Sequence, residues 1–211
     1  MTPRETSGLK RDQARTRLAR GAVVEAARSL FLDHGYGATT IDAISERAGV
    51  PPATVYRLFS SKHGILKSLL DVSIVGDDEN VPMADREPVR TLLADHDPRD
   101  QLAGFVAITV QVNARVAPLY RILVSAAGTD PDAAQLLDTL TGQRQQGQRQ
   151  IARSLARAGA LRPGLRERDA ADLIHAFLSP ELYGLLVTDR AWKAERYRSW
   201  LVSTLVDQLL A

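Results

Sequence analysis

Apolar residues recur at helical spacing along almost the whole chain. In the first third, Val23, Ala27, Leu30 and Phe31 share one helix face, and glycines at 35 and 37 end that helix. Three short helices should follow. Thr39 or Thr40 caps the first, the second begins near Pro52, and Ser60 or Ser61 caps the third. The sequence lacks a clean two-residue alternation of useful length, so it predicts an all-α fold.

The pattern breaks over residues 76–88, an acidic stretch rich in Gly and Pro that reads as a flexible loop. We therefore expect two domains, 1–72 and 73–211, with residues 1–15 a mobile polar arm and the first helix starting at Thr16. Beyond the break, Pro118 should separate an apolar helix, 102–116, from the next. A longer helix should run from Asp130 to Gly159. Its segment Gly142–Gln150 (GQRQQGQRQ) is interpreted as a solvated face, with a kink as the alternative.

Composition narrows the class of protein. Of 211 residues, 45% are hydrophobic and none is cysteine, which excludes a disulfide scaffold, a thiolate zinc site and a cysteine nucleophile. The most apolar stretch, 105–112, is far short of a membrane span, and the polar N-terminus does not resemble a secretory signal. We expect a cytoplasmic protein that does not contact a membrane.

Charge is unevenly distributed. Residues 1–70 hold 11 basic and 6 acidic side chains, a net charge of +5, whereas the remainder carries −3. A basic first third suits contact with a polyanion.

Residues Thr40–Lys62 have the spacing of a helix-turn-helix, with a tight turn at Ala48-Gly49-Val50. Gly49 allows a positive φ, and Val50 can fill the gap between the helices. The second helix should expose Ala53, Thr54, Tyr56 and Arg57. The small Ala53 and Thr54 allow close approach to DNA and can contact a thymine methyl. Arg57 can bind guanine, Tyr56 can donate to a phosphate, and Lys62 adds a further phosphate contact. Many helical proteins without DNA share this geometry, and the basic charge favours the DNA interpretation.

The same region resembles the TetR-type transcriptional regulators over about 50 residues. The matching positions are Phe31, Gly35-Tyr36, Thr39-Thr40-Ile41, Ile44, Ala48-Gly49-Val50, Thr54-Val55-Tyr56, Phe59, Ser61-Lys62 and Leu66. The resemblance implies a three-helix DNA-binding domain whose third helix enters the major groove, and a helical C-terminal domain that binds an effector and dimerises. By position, Thr40, Thr54, Tyr56 and Lys62 would contact phosphate or groove, and Pro52, Ala53 and Arg57 would read bases. Pro51 differs from the family pattern, which usually has a small polar residue at this position.

A second, weaker resemblance is to the end of one subgroup of that family, and it rests on Ser179-Pro180-Glu181-Leu182, Leu186, Trp192, Tyr197 and Trp200-Leu201. In that subgroup the last two long helices pack against their copies as a four-helix dimer interface. Here these would be residues 169–188 and 192–210. Leu201, Leu205 and Leu209, with Val202, Val206 and Leu210, cover two faces of the last helix, more than one core needs. The alternative is a helix buried within its own chain.

An effector pocket is expected in the same half. His175 lies on an apolar helix, either as a satisfied core histidine or as a hydrogen-bonding group facing the ligand. The other candidates for the pocket are Phe105, Thr109, Tyr120, Arg121 and Tyr183. Asp95-His96-Asp97 could hold a metal, but a solvated turn is the simpler interpretation, and we expect no metal and no cofactor.

These observations predict a homodimeric regulator, a repressor released by a partly apolar small molecule, acting on a pseudo-palindromic operator. The alternative is a DNA-binding regulator whose C-terminal domain only dimerises or binds a protein. An enzyme is not expected, because the sequence offers neither a nucleophile–base pair nor a metal cluster.

Overall fold

The computed structural model describes residues 3–76, 86–95 and 97–211, without the side chains of 3–12, 93 and 94. The helices follow one another in chain order: α1 (Pro3–Ala38), α2 (Ile41–Ala48), α3 (Pro52–Phe59), α4 (Lys62–Val75), α5 (Glu87–Ala94), α6 (Pro98–Ala127), α7 (Pro131–Arg157), α8 (Glu167–Phe177), α9 (Pro180–Tyr183) and α10 (Ala194–Leu209). A π-helical segment, Gly184–Asp189, continues α9. Across the described residues the only β-type pairing is an isolated bridge between Leu161 and Leu210, so the all-α prediction is confirmed.

Two helix boundaries differ from the prediction. Helix α1 begins at Pro3 rather than Thr16, so the segment expected to be an arm is helical, and the backbone of α1 kinks at Gly35 (φ 79°). Helix α6 continues through Pro118 without a break. Most of the predicted acidic loop, residues 77–85, lies outside the described residues.

Buried apolar residues form two core clusters. The first joins α1–α4 to the C-terminal half of α6 and the start of α7, where Val116, Leu119, Leu123 and Leu136 pack with the N-terminal helices. The second fills the space between the start of α6, the end of α7, α8 and α10. The predicted domain boundary at Val72 stays a prediction, and the first core cluster extends across it.

Within the part of the chain that the structure describes, two helical runs are long and apolar enough to cross a membrane: Pro98–Ala127 and Glu167–Asp189. The expectation from residues 105–112 overlooked both, because it counted an uninterrupted apolar run rather than an average over a whole helix. Buried helices in protein cores pass the same test, and both runs contribute to the second core cluster through Leu102, Val106 and Ile174.

Candidate nucleic-acid interface

The turn between α2 and α3 is fixed by local hydrogen bonds. Thr40 caps α2 by accepting a hydrogen bond from the Ala43 N–H at 3.1 Å. Gly49 ends α2 in the left-handed region (φ 63°, ψ 28°). The hydroxyl of Ser45 donates to the Val50 carbonyl, and the Val50 side chain is buried. The predicted capping by Thr40, the glycine turn and the apolar plug are therefore confirmed.

Helix α3 buries Val55 and Phe59 and turns its other face outward. Pro52, Ala53, Tyr56 and Arg57 are exposed, and Thr54 is half-buried. Pro51 precedes the helix with no side-chain cap. This face is narrow, small at its start and basic at its end, which suits entry into the major groove of DNA.

Ser61 caps α4, as one of the two predicted residues, by accepting from the Gly64 N–H at 3.0 Å. The sequence analysis did not identify the other contacts that hold the end of α3. Ser60 adopts a positive φ of 64°, and a Cβ on Gly64 would overlap the Phe59 carbonyl oxygen. From α1, the Arg20 guanidinium donates to the Leu58 carbonyl at 3.1 Å and lies 4.7 Å from the centroid of the Phe59 ring. A glycine three residues after the N-cap was the sequence signal for the close approach.

Lys62 occupies a different environment from the one predicted. Its Nζ donates to the carbonyls of Tyr36 (2.8 Å) and Thr39 (2.9 Å) and lies 4.2 Å from the centroid of the Tyr36 ring. Burial lowers the pKa of Lys62, against an opposing effect of Asp130. Two of its three N–H donors therefore bind within the chain, where they join the start of α4 to the connection between α1 and α2. The phosphate contact assigned to Lys62 stays a prediction.

Several basic side chains of residues 1–70 bind carbonyls or carboxylates of the chain itself. Besides Arg20 and Lys62, Lys67 forms a 2.6 Å ion pair with Asp71. Arg57, by contrast, forms no ion pair or hydrogen bond with the described part of the chain, and it is exposed at the C-terminal end of α3. Arg57 is therefore the candidate for base contact whose charge is available to DNA.

The six residues predicted for an effector pocket do not form one site. Arg121 is exposed and pairs with Asp189 through two contacts of 3.1 and 3.2 Å. Tyr183 is buried edge-on against Tyr197, 5.3 Å between centroids. Phe105 and Thr109 are half-buried on α6, where Thr109 lies about 16 Å along the helix axis from Tyr120.

His175 is half-buried, and both of its ring nitrogens have partners within the chain, while its place in an effector pocket stays a prediction. Its Nδ1 lies 2.7 Å from Gln148 Oε1, and its Nε2 lies 3.2 Å from an Arg144 nitrogen. Arg144 in turn lies over the ring of Tyr120, 5.8 Å from its centroid. Tyr120 and His175 therefore do come together, through an arginine in the segment expected to be a solvated helix face. That expectation was wrong for Arg144, which is largely buried, and for Gln148, which is 2% exposed.

The three leucines predicted at the dimer interface lie elsewhere. Leu201, Leu205 and Leu209 are fully buried within the chain, packed in the second core cluster. This assignment was wrong, because the helix face they share is already covered by the chain's own helices. The neighbouring face of α10, with Val202 and Val206, lines an open groove of about 580 Å³ beside α6. None of the six residues predicted for the pocket lines that groove.

Asp95-His96-Asp97 cannot be assessed as a metal site, since His96 lies outside the described residues. Among those that are described, no group of three or more His, Asp or Glu side chains could hold a metal ion.

Known bacterial transcription regulators are similar to this chain, both within the helix-turn-helix and beyond it. The family model described as bacterial regulatory proteins of the tetR family matches residues 23–69, the segment that contains α2 and α3. The HTH-type transcriptional regulator YdeS of Bacillus subtilis (strain 168) is 28% identical over 180 residues, covering 85% of this chain and 84% of that protein. The HTH-type transcriptional repressor ComR of Escherichia coli (strain K12) is 25% identical over 165 residues, covering 76% and 75%. These relatives are transcription regulators, not enzymes.

Solved structures share the complete fold. The repressor of the Stenotrophomonas maltophilia multidrug efflux pump SmeDEF, SmeT, superposes in its triclosan complex with a TM-score of 0.69 at 19% identity, covering 92% of each chain. The helix-turn-helix, the matching family model and the shared helical architecture agree: residues 23–69 form a DNA-binding domain of the type found in bacterial regulatory proteins of the tetR family, and the chain is a DNA-binding transcriptional regulator.

Proposed function

We propose that this protein is a homodimeric transcriptional repressor that leaves its operator when a small molecule binds its C-terminal half. The observation that carries the DNA-binding part is the outward face of α3, where Ala53, Tyr56 and Arg57 are exposed together behind a rigid, capped turn. Repression is supported by two relatives described as repressors, ComR and SmeT. We place the protein in the cytoplasm, where its DNA lies.

Dimerisation is proposed through the outward faces of α8, the π-helical segment and α10. These faces, together with α9 and the connection before α10, leave large apolar side chains half-buried or exposed: Leu173, Phe177, Leu182, Leu185, Leu186, Val187, Trp192 and Trp200. Apolar residues concentrated on adjoining faces are typical of a surface covered by a partner. In a two-fold dimer the two α3 helices would meet two half-sites about one DNA turn apart.

The test begins with selection of bound duplexes from a random-sequence library, followed by affinity measurements on the selected duplex. Arg57→Ala should weaken binding by about 5- to 150-fold and relax sequence preference at one base position, since one bidentate arginine–guanine contact discriminates by about 1–3 kcal/mol. Lys67→Ala, which removes an exposed cation from the same domain, is the matched control and should change affinity little. Binding without sequence preference that disappears at moderate salt would contradict the proposal.

A further inference from the structure

A polar cluster lies between the two core clusters of the molecule. We call it the arginine cluster: Arg144 and Gln148 from α7, Tyr120 from α6, His175 from α8 and Glu181 from α9. Along α7, Arg144 lies four residues after Leu140 of the first core and seven before Ile151 of the second. These spacings place the three side chains on one helix face, so the cluster has apolar neighbours on both sides.

Arg144 lacks partners for much of its guanidinium. Its side chain is 20% exposed, and Nε and Nη1 are buried without a hydrogen-bond partner in the described structure. Only Nη2 is used, by the contact of 3.2 Å to His175 Nε2. Guanidinium donors that are removed from water without an acceptor are energetically costly, and buried polar groups in native proteins are normally hydrogen-bonded.

Arg115, on the neighbouring helix α6, shows the usual arrangement. Its guanidinium is also half-buried, but it donates to the carbonyls of Ser73 at 2.8 Å and Ile74 at 3.1 Å, at the end of α4. The two arginines therefore form a natural pair for comparison, one satisfied by the chain and the other not.

The neighbours of Arg144 leave Nε and Nη1 of its guanidinium without a hydrogen-bond acceptor in the described structure. Gln148 carries no charge, and burial together with Arg144 lowers the pKa of His175, which favours its neutral form. The closest carboxylate, Glu181, is 57% exposed and lies 3.8 Å from Nη1, beyond hydrogen-bond distance. Glu181 also hydrogen-bonds to Tyr120, and after burial it raises the pKa of Tyr120, against an opposing effect of Arg144. The cluster therefore keeps free guanidinium donors beside a carboxylate that is largely exposed to solvent.

We propose that the arginine cluster binds the carboxylate of a small apolar molecule, with the acid group replacing Glu181 beside Arg144, and that this molecule is the effector. A guanidinium with free donors suits a carboxylate, and the ring of Tyr120 and the half-buried Leu140, one turn before Arg144, are its apolar neighbours. The effector role rests on the proposed function, whereas the binding site does not. A ligand here would contact α6, α7 and α8 between the core that includes the DNA-binding helices and the core of the C-terminal half.

Calorimetric titration of the full chain tests the site with three pairs of probes: hexanoate, decanoate and 4-phenylbutanoate, each against its primary alcohol. At least one carboxylate should bind ten-fold or more tightly than its alcohol. Arg144→Met should remove that preference, Glu181→Gln should strengthen carboxylate binding several-fold, and Arg121→Gln should leave it unchanged, since Arg121 is exposed and paired with Asp189.

Thermal unfolding without ligand separates a binding role from a structural one. Arg144→Met should melt at the wild-type temperature or above it, because replacing a largely buried guanidinium with two unused donors by an apolar side chain relieves its desolvation. Arg115→Met should melt at a lower temperature, because it leaves two carbonyls without their donor. Both variants should keep the wild-type oligomeric state.

The proposal is overturned if every carboxylate binds no better than its alcohol, if the preference survives in Arg144→Met, or if that variant dissociates the oligomer. Addition of the bound carboxylate to the protein–operator complex tests the effector role, and a complex that persists at saturation contradicts it. Operator binding without ligand is measured separately. A protein that binds its operator but no carboxylate would refute this site alone, and one that binds the carboxylate but no specific duplex would refute the proposed function alone.

Discussion

Single residues at the α3–α4 corner set the position of the recognition face. Gly64 allows the Phe59 carbonyl to approach α4 more closely than any side chain would permit, and Ser60 tolerates a positive φ beside it. The direction in which Tyr56 and Arg57 point therefore depends on residues that do not themselves face outward.

Gly64→Ala should destabilise the protein by about 1–3 kcal/mol, because its Cβ would overlap backbone that has to shift. Urea unfolding measures the loss, and operator affinity should fall at the same time because α3 moves. Gly21→Ala is the control. A Cβ at Gly21, inside α1, meets nothing within 4 Å, so this change should stabilise by about 0.5–1 kcal/mol. Equal effects of the two substitutions would show that the close approach at Gly64 does not matter.

Prediction from sequence succeeded for residues whose roles follow from position within one or two turns of helix. Thr40, Gly49 and Val50 act through neighbours in the chain, and α3 turns Tyr56 and Arg57 outward because Val55 and Phe59 are its apolar positions. Roles that depend on distant segments could not be predicted this way. Lys62 bonds to carbonyls more than twenty residues earlier, and Arg144 is buried only because α6 and α8 cover it. Leu201 was assigned to the wrong surface for the same reason.

Contacts between elements link the DNA-binding helices to the C-terminal half. Asp130 caps α7 by accepting from the Asp132 and Ala133 N–H groups. It also hydrogen-bonds to Tyr36 near the end of α1, and burial together with Asp130 raises the pKa of Tyr36. Since α7 continues from this cap to Arg144 and Gln148, one helix contacts both the DNA-binding half and the arginine cluster.

The contact between α7 and α8 should depend on pH through His175. Arg144 and Gln148 face its ring from α7, with Glu181 and Asp172 as the nearby carboxylates, and burial is the main cause of its lowered pKa. The unfolded chain takes up a proton near the ordinary pKa of about 6.5, whereas the folded chain resists protonation until lower pH. The free energy of unfolding should therefore decrease as pH falls through 6.5 towards the lower pKa of the folded state.

Urea unfolding between pH 7.5 and 5.5 measures this dependence. His175→Gln keeps a donor and an acceptor but does not titrate, so its stability should fall less steeply than that of the wild type over this range. His34→Gln, at an exposed position on α1, is the control. If the free energy of unfolding of His175→Gln falls with pH as steeply as that of the wild type, the fold does not resist protonation of His175.

At the scale of the whole molecule, the burial of Leu201, Leu205 and Leu209 changes which surface is available for a second copy. The apolar residues left uncovered lie on α8, the π-helical segment and the outer side of α10. Leu185, 49% exposed on the π-helical segment, is the most exposed large apolar residue there. A lysine at that position stays solvated in a monomer, but two-fold symmetry would bring it into the interface from both copies.

Leu185→Lys should therefore shift the protein from dimer to monomer at micromolar concentration, measured by light scattering after size exclusion, where the chain mass is 23.1 kDa. Leu32→Lys is the matched control, because Leu32 is 44% exposed but lies on α1 in the DNA-binding half. The monomeric variant should also lose most of its operator affinity, since one α3 helix then contacts one half-site without the second. Its thermal stability as a folded monomer distinguishes loss of the interface from loss of the fold. A Leu185→Lys protein that remains dimeric would place the interface on a different surface.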